Sequence, residues 1–254
     1  MENNNGQHNP IKFVKEIFKA YYGISDDYDK IIFDFDDTIW SRKYKESTQD
    51  KKISIENIKI INNIPESIII SGNTYSSISK KLFEVFGTNL SDCNISIWAD
   101  VNSRLYHKNE IACTIEDFII PKKDVEYITN ILRKLNISYS LDSNKVVNIK
   151  IKGLSERERN LLCIYLNETI FQNSLDKYKA IKAGYTTVDI ISKKNTSKKA
   201  VFDYLQLKDK KTLYIGDELD SGNDKEIAKA CTTSINVVDI KETNFILKLL
   251  GDFL

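Results

Sequence analysis

The stretch Lys30-Ile31-Ile32-Phe33-Asp34-Phe35-Asp36-Asp37-Thr38-Ile39-Trp40 decides the reading of this 254-residue chain. The apolar run 31–33 fits a strand buried on both faces, as in a parallel sheet. Asp34, Asp36 and Asp37 follow where that strand ends. Open α/β sheets bind ligands at the carboxyl ends of their strands, so these acids stand where a site is expected. Two carboxylates one residue apart repel each other unless a cation holds them. Asp34 and Asp36 therefore point to a hard metal, magnesium foremost. A carboxylate beside such a metal can attack phosphorus and form an aspartyl-phosphate. The bland alternative is a strand running into a solvated acidic turn.

Three further stretches bear on that choice. Ser67-Ile68-Ile69-Ile70-Ser71-Gly72-Asn73 is a second apolar strand, ending in a hydroxyl. Asn195-Thr196-Ser197-Lys198-Lys199-Ala200 opens a helix and carries lysines. Leu213-Tyr214-Ile215-Gly216-Asp217 runs on to Gly222-Asn223-Asp224, where another helix starts. In this order the four stretches resemble the four motifs of the haloacid dehalogenase (HAD) superfamily of phosphatases and phosphotransferases. The last two resemble the Cof-like and phosphomannomutase-like branch, which carries a large α/β cap.

The resemblance implies a doubly wound, Rossmann-like α/β core with an inserted α/β cap. On this reading the core is 1–88 and 191–254, with 1–10 mobile, and the cap is 89–190. It implies Asp34 as nucleophile, Asp36 as general acid and base, and Lys198 as the cation beside them. Lys199 is the competitor, read as a solvated helix residue. It implies Ser71, Gly72 and Asn73 around the phosphoryl group, with Asn223 orienting phosphate. Mg2+ would be held by Asp34, the backbone of Asp36, Asp217 and Asp224. Asp37 receives no role, and Thr38 is read as a turn hydroxyl. In the cap, Asp100, Lys150, Thr187 and Asp189 are candidate substrate contacts. Asn102 shares a turn with Asp100, and Lys152 lies two residues beyond Lys150. Ordinary turn and strand residues are the alternative for each.

The expected activity is hydrolysis of a small phosphorylated metabolite, a sugar phosphate foremost. Residues 147–153 and Thr187-Val188-Asp189 also resemble the cap of eukaryotic-type phosphomannomutases. Those enzymes grip a sugar bisphosphate with cap arginines; here Ser143 and Leu154 stand near two such positions. A phosphosugar mutase is therefore the enzyme alternative. A catalytically silent binding protein is the alternative from another class.

Composition narrows the field. Hydrophobic residues make up 41% of the chain, enough for a substantial core. Basic and acidic residues number 37 and 36, so no global charge favours nucleic acid or an anionic membrane. The four cysteines, Cys93, Cys113, Cys163 and Cys231, form no Cys-x-x-Cys pair. They read as free thiols of a reduced, cytoplasmic protein. Two histidines, His8 and His107, offer no zinc or histidine-based chemistry. No apolar run approaches the roughly 18 residues of a membrane span, and 1–10 lack signal-peptide features.

Periodicity predicts helices over 11–22, around 55–61, over 75–87, from Pro121, from a Ser155–Glu158 capping box, from Thr196, over 223–230 and from 241. The first should bury Phe13, Val14, Ile17, Phe18 and Tyr21 with Lys19 off that face. It either packs on the core or forms a homodimer contact. Strands are predicted at 93–98, 137–141, 146–151, 177–182 and 185–191, inside the insert.

Overall fold

The computed structural model describes residues 10–25, 27–141, 146, 148–183, 186–195, 197–220 and 224–251. Along the chain, helix α1 (Pro10–Tyr22) precedes β1 (Lys30–Phe33), α2 (Thr48–Asn62), β2 (Ser67–Ile70) and α3 (Tyr75–Phe86). Three short strands follow: β3 (Ser96–Ala99), β4 (Arg104–His107) and β5 (Glu110–Thr114). Next come α4 (Lys122–Lys134), β6 (Ser140–Leu141), β7 (Asn148–Ile151), α5 (Glu156–Gln172), β8 (Tyr178–Ala183) and β9 (Thr187–Ser192). The chain closes with α6 (Lys199–Tyr204), β10 (Thr212–Gly216), α7 (Lys225–Ala230), β11 (Thr233–Asn236) and α8 (Ile240–Gly251).

Seven strands form one sheet in the order β11-β10-β1-β2-β3-β4-β5. The first five run parallel, and β4 and β5 add an antiparallel hairpin at one edge. β1 and β2 are apolar on both faces because both faces are covered. Phe33, Ile69, Leu213 and Ile215 pack with Ile58 and Ile61 of α2 and Leu247 of α8. Ile32, Ile70 and Tyr214 pack on the opposite face with Val201 and Phe202 of α6 and Ile227 of α7. Helices on both faces make the sheet doubly wound, as expected. Each fully buried Ile or Phe side chain contributes roughly 1.5–3 kcal/mol, which pins the strand that carries the acids.

A second, all-antiparallel sheet has the order β6-β7-β9-β8. Its Ile149, Ile151, Val188 and Ile190 pack against Val125, Ile128 and Leu132 of α4 and Leu166 and Ile170 of α5. Strand alternation sends Lys150, Thr187 and Asp189 to the other face. Ser155 opens α5 through the predicted box: its amide donates to Glu158 Oε2 at 2.7 Å, and the Glu158 amide donates to its hydroxyl at 3.3 Å.

The structure differs from the sequence reading in three places. The strand expected at the start of the insert, 93–98, is β3, and together with β4 and β5, which the sequence reading did not contain, it belongs to the seven-stranded sheet. Trp98 of β3 packs with Ile70, Tyr214 and Phe202, so this segment is a further βαβ step of the core. The unit built on the second sheet thus begins after β5, not at 89. On α1, two residues of the predicted face, Ile17 and Tyr21, are exposed, and Lys19, expected off that face, is buried. The helix instead meets α8, with Phe18 edge-on to Phe245 at 4.8 Å and the Tyr22 hydroxyl donating to Glu242 at 2.7 Å. On α6, where the periodicity predicts Ala200, Val201, Tyr204 and Leu205 as the inward face, Val201 and Phe202 are buried while Tyr204 is exposed. The mobility expected of 1–10 falls almost wholly outside the described residues.

Candidate active site

The parallel strands aim their carboxyl ends at one point. Asp34 leaves β1, Asp217 follows β10, and Asp224 stands just before α7. One carboxylate oxygen from each lies within 4.8 Å of the others. Lys198, at the start of α6, reaches into this cluster, where its ammonium pairs with Asp34 and with Asp224 at 2.6 Å. Lys199 turns away and pairs with Asp203 on the exposed side of α6. The lysine is 2% exposed and Asp224 1%, so water screens neither charge.

Burial pushes the Asp34 carboxyl up to about 7, and the neighbouring Asp224 adds to this while Lys198 pulls the other way. Burial also works against the charge of Lys198, but Asp34 and Asp224 outweigh it and raise its pKa. The Lys198 ammonium also donates to the Tyr214 hydroxyl at 3.3 Å. Burial beside Asp34 and Asp224 drives that phenol well above its usual range. Three acids around a single lysine leave negative charge in excess. That donor set, all carboxylate oxygen, fits a hard divalent cation such as Mg2+.

Local packing fixes each member. The Thr38 hydroxyl donates to Asp217 at 3.2 Å, a tie that its reading as a turn hydroxyl does not contain. Gly216 has to be glycine: a Cβ there would lie 2.8 Å from Asp224 Oδ2 and 2.9 Å from the Tyr214 ring. Ser71, 2% exposed, accepts the Asn73 amide at 3.1 Å and lines the same cavity. Gly72 lines it too, with no protein atom within 4 Å of where a Cβ would stand.

Asp36 stands apart from the three-acid cluster. Its carboxylate accepts from the Asn73 side-chain amide at 2.5 Å and from the Lys81 ammonium at 2.8 Å. Lys81 extends from α3 and lies 4.7 Å from the centre of the Phe35 ring. Sequence reading missed Lys81 because nothing in its own turn of helix marks it. Its partner is 45 residues away along the chain. The Asp36 side chain is therefore not one of the clustered carboxylates, which leaves its backbone as the only donor of the expected kind.

A cavity of about 560 Å³ joins these groups to the second sheet. Lys150, Thr187 and Asp189 line it, as the alternation requires. Asp189 is buried and accepts from Asn148 at 2.6 Å, and Thr187 donates to the Ala183 carbonyl. Lys152 does not follow Lys150 into the cavity; it borders a separate groove with Leu154 and Leu161.

Asp100 is a correction. It is not among the cavity-lining residues, and its carboxylate is consumed locally. It accepts from the Tyr75 amide at 2.9 Å, Arg104 at 3.1 Å and the Tyr106 hydroxyl at 2.5 Å. These bonds hold Asp100, Val101 and Asn102 at φ of 52°, 56° and 62°. Such left-handed backbone is costly for a β-branched residue such as Val101. Asn195 secures the turn by donating to the Val101 carbonyl at 2.5 Å. The outcome is that Asn102, not Asp100, faces the cavity, with its buried Oδ1 free of any hydrogen-bond donor among the described residues. Asn223 and Ser143 lie outside the described residues.

No family model matches the sequence, and no curated protein matches it with significance. Solved structures do. A haloacid dehalogenase-like hydrolase from Bacteroides thetaiotaomicron superposes with a TM-score of 0.61 at 13% identity, covering 90% of this chain and all of that one. An IMP-nucleotidase from Plasmodium falciparum gives 0.60 at 17% identity, covering 95% of this chain and 76% of that one. A trehalose-6-phosphate phosphatase from Aspergillus fumigatus gives 0.54 at 10% identity, covering 96% and 98%. Parallel sheet, inserted second sheet and acids at the strand ends together give this chain the fold of the haloacid dehalogenase-like hydrolases.

Proposed function

We propose that the protein is a phosphatase that hydrolyses a small phosphorylated metabolite through an aspartyl-phosphate on Asp34, with Mg2+ at the Asp34–Asp217–Asp224 cluster. The observation that carries the reading is the convergence of these three carboxylates and Lys198 at the floor of one cavity. Asp34 would attack phosphorus in line as the ester oxygen leaves. Asp36 would give that oxygen its proton, then take one from the water that attacks the phosphoryl-aspartate and releases phosphate. Ser71 and Asn73 would donate to the phosphoryl oxygens. Lys198 keeps charge balanced around Asp34. Bound Mg2+ would neutralise phosphoryl charge and hold the phosphate in place.

A sugar phosphate is the substrate class we favour. Asp189, Thr187, Lys150 and Asn102 present both acceptors and donors to the cavity, which suits a hydroxyl-rich leaving group. The mutase reading has less support. It needs a second phosphate grip from the cap. Among the described lining residues the cap supplies Lys150 and Lys182 but no arginine, and lysine lacks the bidentate fork.

The test is release of inorganic phosphate across a panel of phosphate esters, with and without Mg2+. The expected outcome is Mg2+-dependent hydrolysis, abolished by chelator and restored by Mg2+ better than by Ca2+. Isomerised phosphosugar without phosphate release would transfer the assignment to the mutase. No turnover of any ester would leave a binding protein.

A further inference from the structure

We propose that the outer face of α5 is the contact between two copies of this chain, paired antiparallel about a two-fold axis. The inner face of this helix is accounted for: Leu166 and Ile170 are buried in the cap core, with Leu162 packed at its edge. At 100° per residue, Arg157, Leu161, Ile164 and Glu168 form one stripe directly opposite that buried face. Leu161 and Ile164 are 59% and 60% exposed, far more than an aliphatic pair in the middle of a helix needs to be. Tyr165 beside them is 47% exposed, and an apolar groove lined by Ile137, Leu154, Leu161 and Tyr165 widens the patch. A helix that is apolar on two opposite faces has something to bury on both.

Charge complementarity identifies the occupant. Arg157 and Glu168 are exposed, and neither has an ion-pair or hydrogen-bond partner among the described residues. The two lie symmetrically about the point midway between Leu162 and Cys163, and so do Leu161 and Ile164. Antiparallel pairing with an identical helix therefore sets Arg157 against Glu168 at both ends and Leu161 against Ile164 in the middle. The stripe is complementary to the same stripe reversed, which is what an isologous contact between antiparallel helices requires. The helix's own field does not explain the placement. A cation at the N-terminal end and an anion near the C-terminal end are each disfavoured by the helix dipole. The 17 residues of α5 span about 25 Å, so the contact is a small one. α5 lies on the face of the second sheet that is turned away from the cavity, so two copies can pair without covering either site.

Sedimentation equilibrium on the full chain, from micromolar to submillimolar concentration, tests the proposal without reference to activity. Wild type is expected to dimerise reversibly. Arg157→Glu and Glu168→Arg each put like charges at both ends of the contact, so each should raise Kd by about tenfold or more. The double variant Arg157→Glu with Glu168→Arg re-forms both pairs and should return Kd to within about threefold of wild type. Leu161→Asp should give a monomer with an unchanged circular dichroism spectrum. A wild type that stays monomeric at every concentration overturns the proposal. So does a dimer whose Kd ignores the single changes, or a double variant no tighter than the singles.

Discussion

Asp36 has partners that no linear motif supplies. Its two oxygens are taken by Asn73, just beyond β2, and by Lys81, inside α3. A proton donor works only when its oxygen is aimed at the leaving group, and here Asn73 and Lys81 set that aim. Lys81 is thus a positioning residue in the proposed reaction. Lys81→Met should lower kcat by about 10- to 100-fold for alkyl phosphates, which need a proton on the departing oxygen. The loss should be small for a nitrophenyl ester, which does not. Lys81→Arg keeps the charge and should recover much of the difference. Equal losses on both ester types would show that Lys81 only supports the fold. At this scale much of the site could be read from the chain. Asp34, Ser71, Lys198 and Asp217 each sit at a strand end or helix start, and local pattern places them. Lys81, Tyr214 and the Thr38–Asp217 tie could not be read, because they are choices of partner made across the sheet. Asp100 misled for the same reason: a carboxylate in a turn looks available until Tyr75, Arg104 and Tyr106 are seen to occupy it.

Elements were legible wherever amphipathic period or cap chemistry marks them: period places α3 and α4, and the Ser155–Glu158 box places the start of α5. The join between units was not, since β3 reads alike as the last parallel strand of a core or the first strand of an insert. Only its pairing with β2 decides. The predicted face of α1 failed at Ile17, Tyr21 and Lys19 while Phe18 of that face packs on Phe245, because a short helix whose lysines and aromatics interleave can be turned by its neighbour. One tie between elements carries a pH signature. Asp124, in the first turn of α4, accepts from the Tyr178 hydroxyl at 2.5 Å and pairs with Lys177 at 2.7 Å, fastening α4 to β8. Burial alone would raise its pKa, but Lys177 and Tyr178 outweigh burial and hold the carboxyl below its ordinary 3.8. A depressed carboxyl stabilises the folded state above its unfolded pKa, and that contribution is lost as pH falls through the folded value. Asp124→Asn should therefore cost about 1–2 kcal/mol near neutrality, read as a lower melting temperature. The gap to wild type should narrow as pH drops below about 4, where the wild-type carboxyl also takes up its proton. A gap that stays constant down to pH 3 would mean that the charge of Asp124 does not matter to the fold.

The whole molecule divides labour between two sheets that share one cavity. The parallel sheet brings the acids and Lys198; the antiparallel sheet brings Lys150, Thr187 and Asp189. In the proposed reaction the first set does the chemistry and the second reads the leaving group. Lys150→Ala and Asp189→Ala should each raise KM several-fold for the preferred ester while leaving kcat for a nitrophenyl ester near wild type. Uniform loss across all esters, with the fold intact, would contradict the division. The central claim rests on one atom, the Asp34 carboxylate oxygen as the attacking group. Asp34→Asn keeps the shape of the side chain and removes its nucleophilic charge. The most direct measurement is kcat of Asp34→Asn beside wild type on one nitrophenyl ester at saturating Mg2+. The expected result is a fall of about a thousandfold or more, with an unchanged circular dichroism spectrum. A variant that kept more than about a tenth of wild-type turnover would show that phosphate leaves without passing through Asp34.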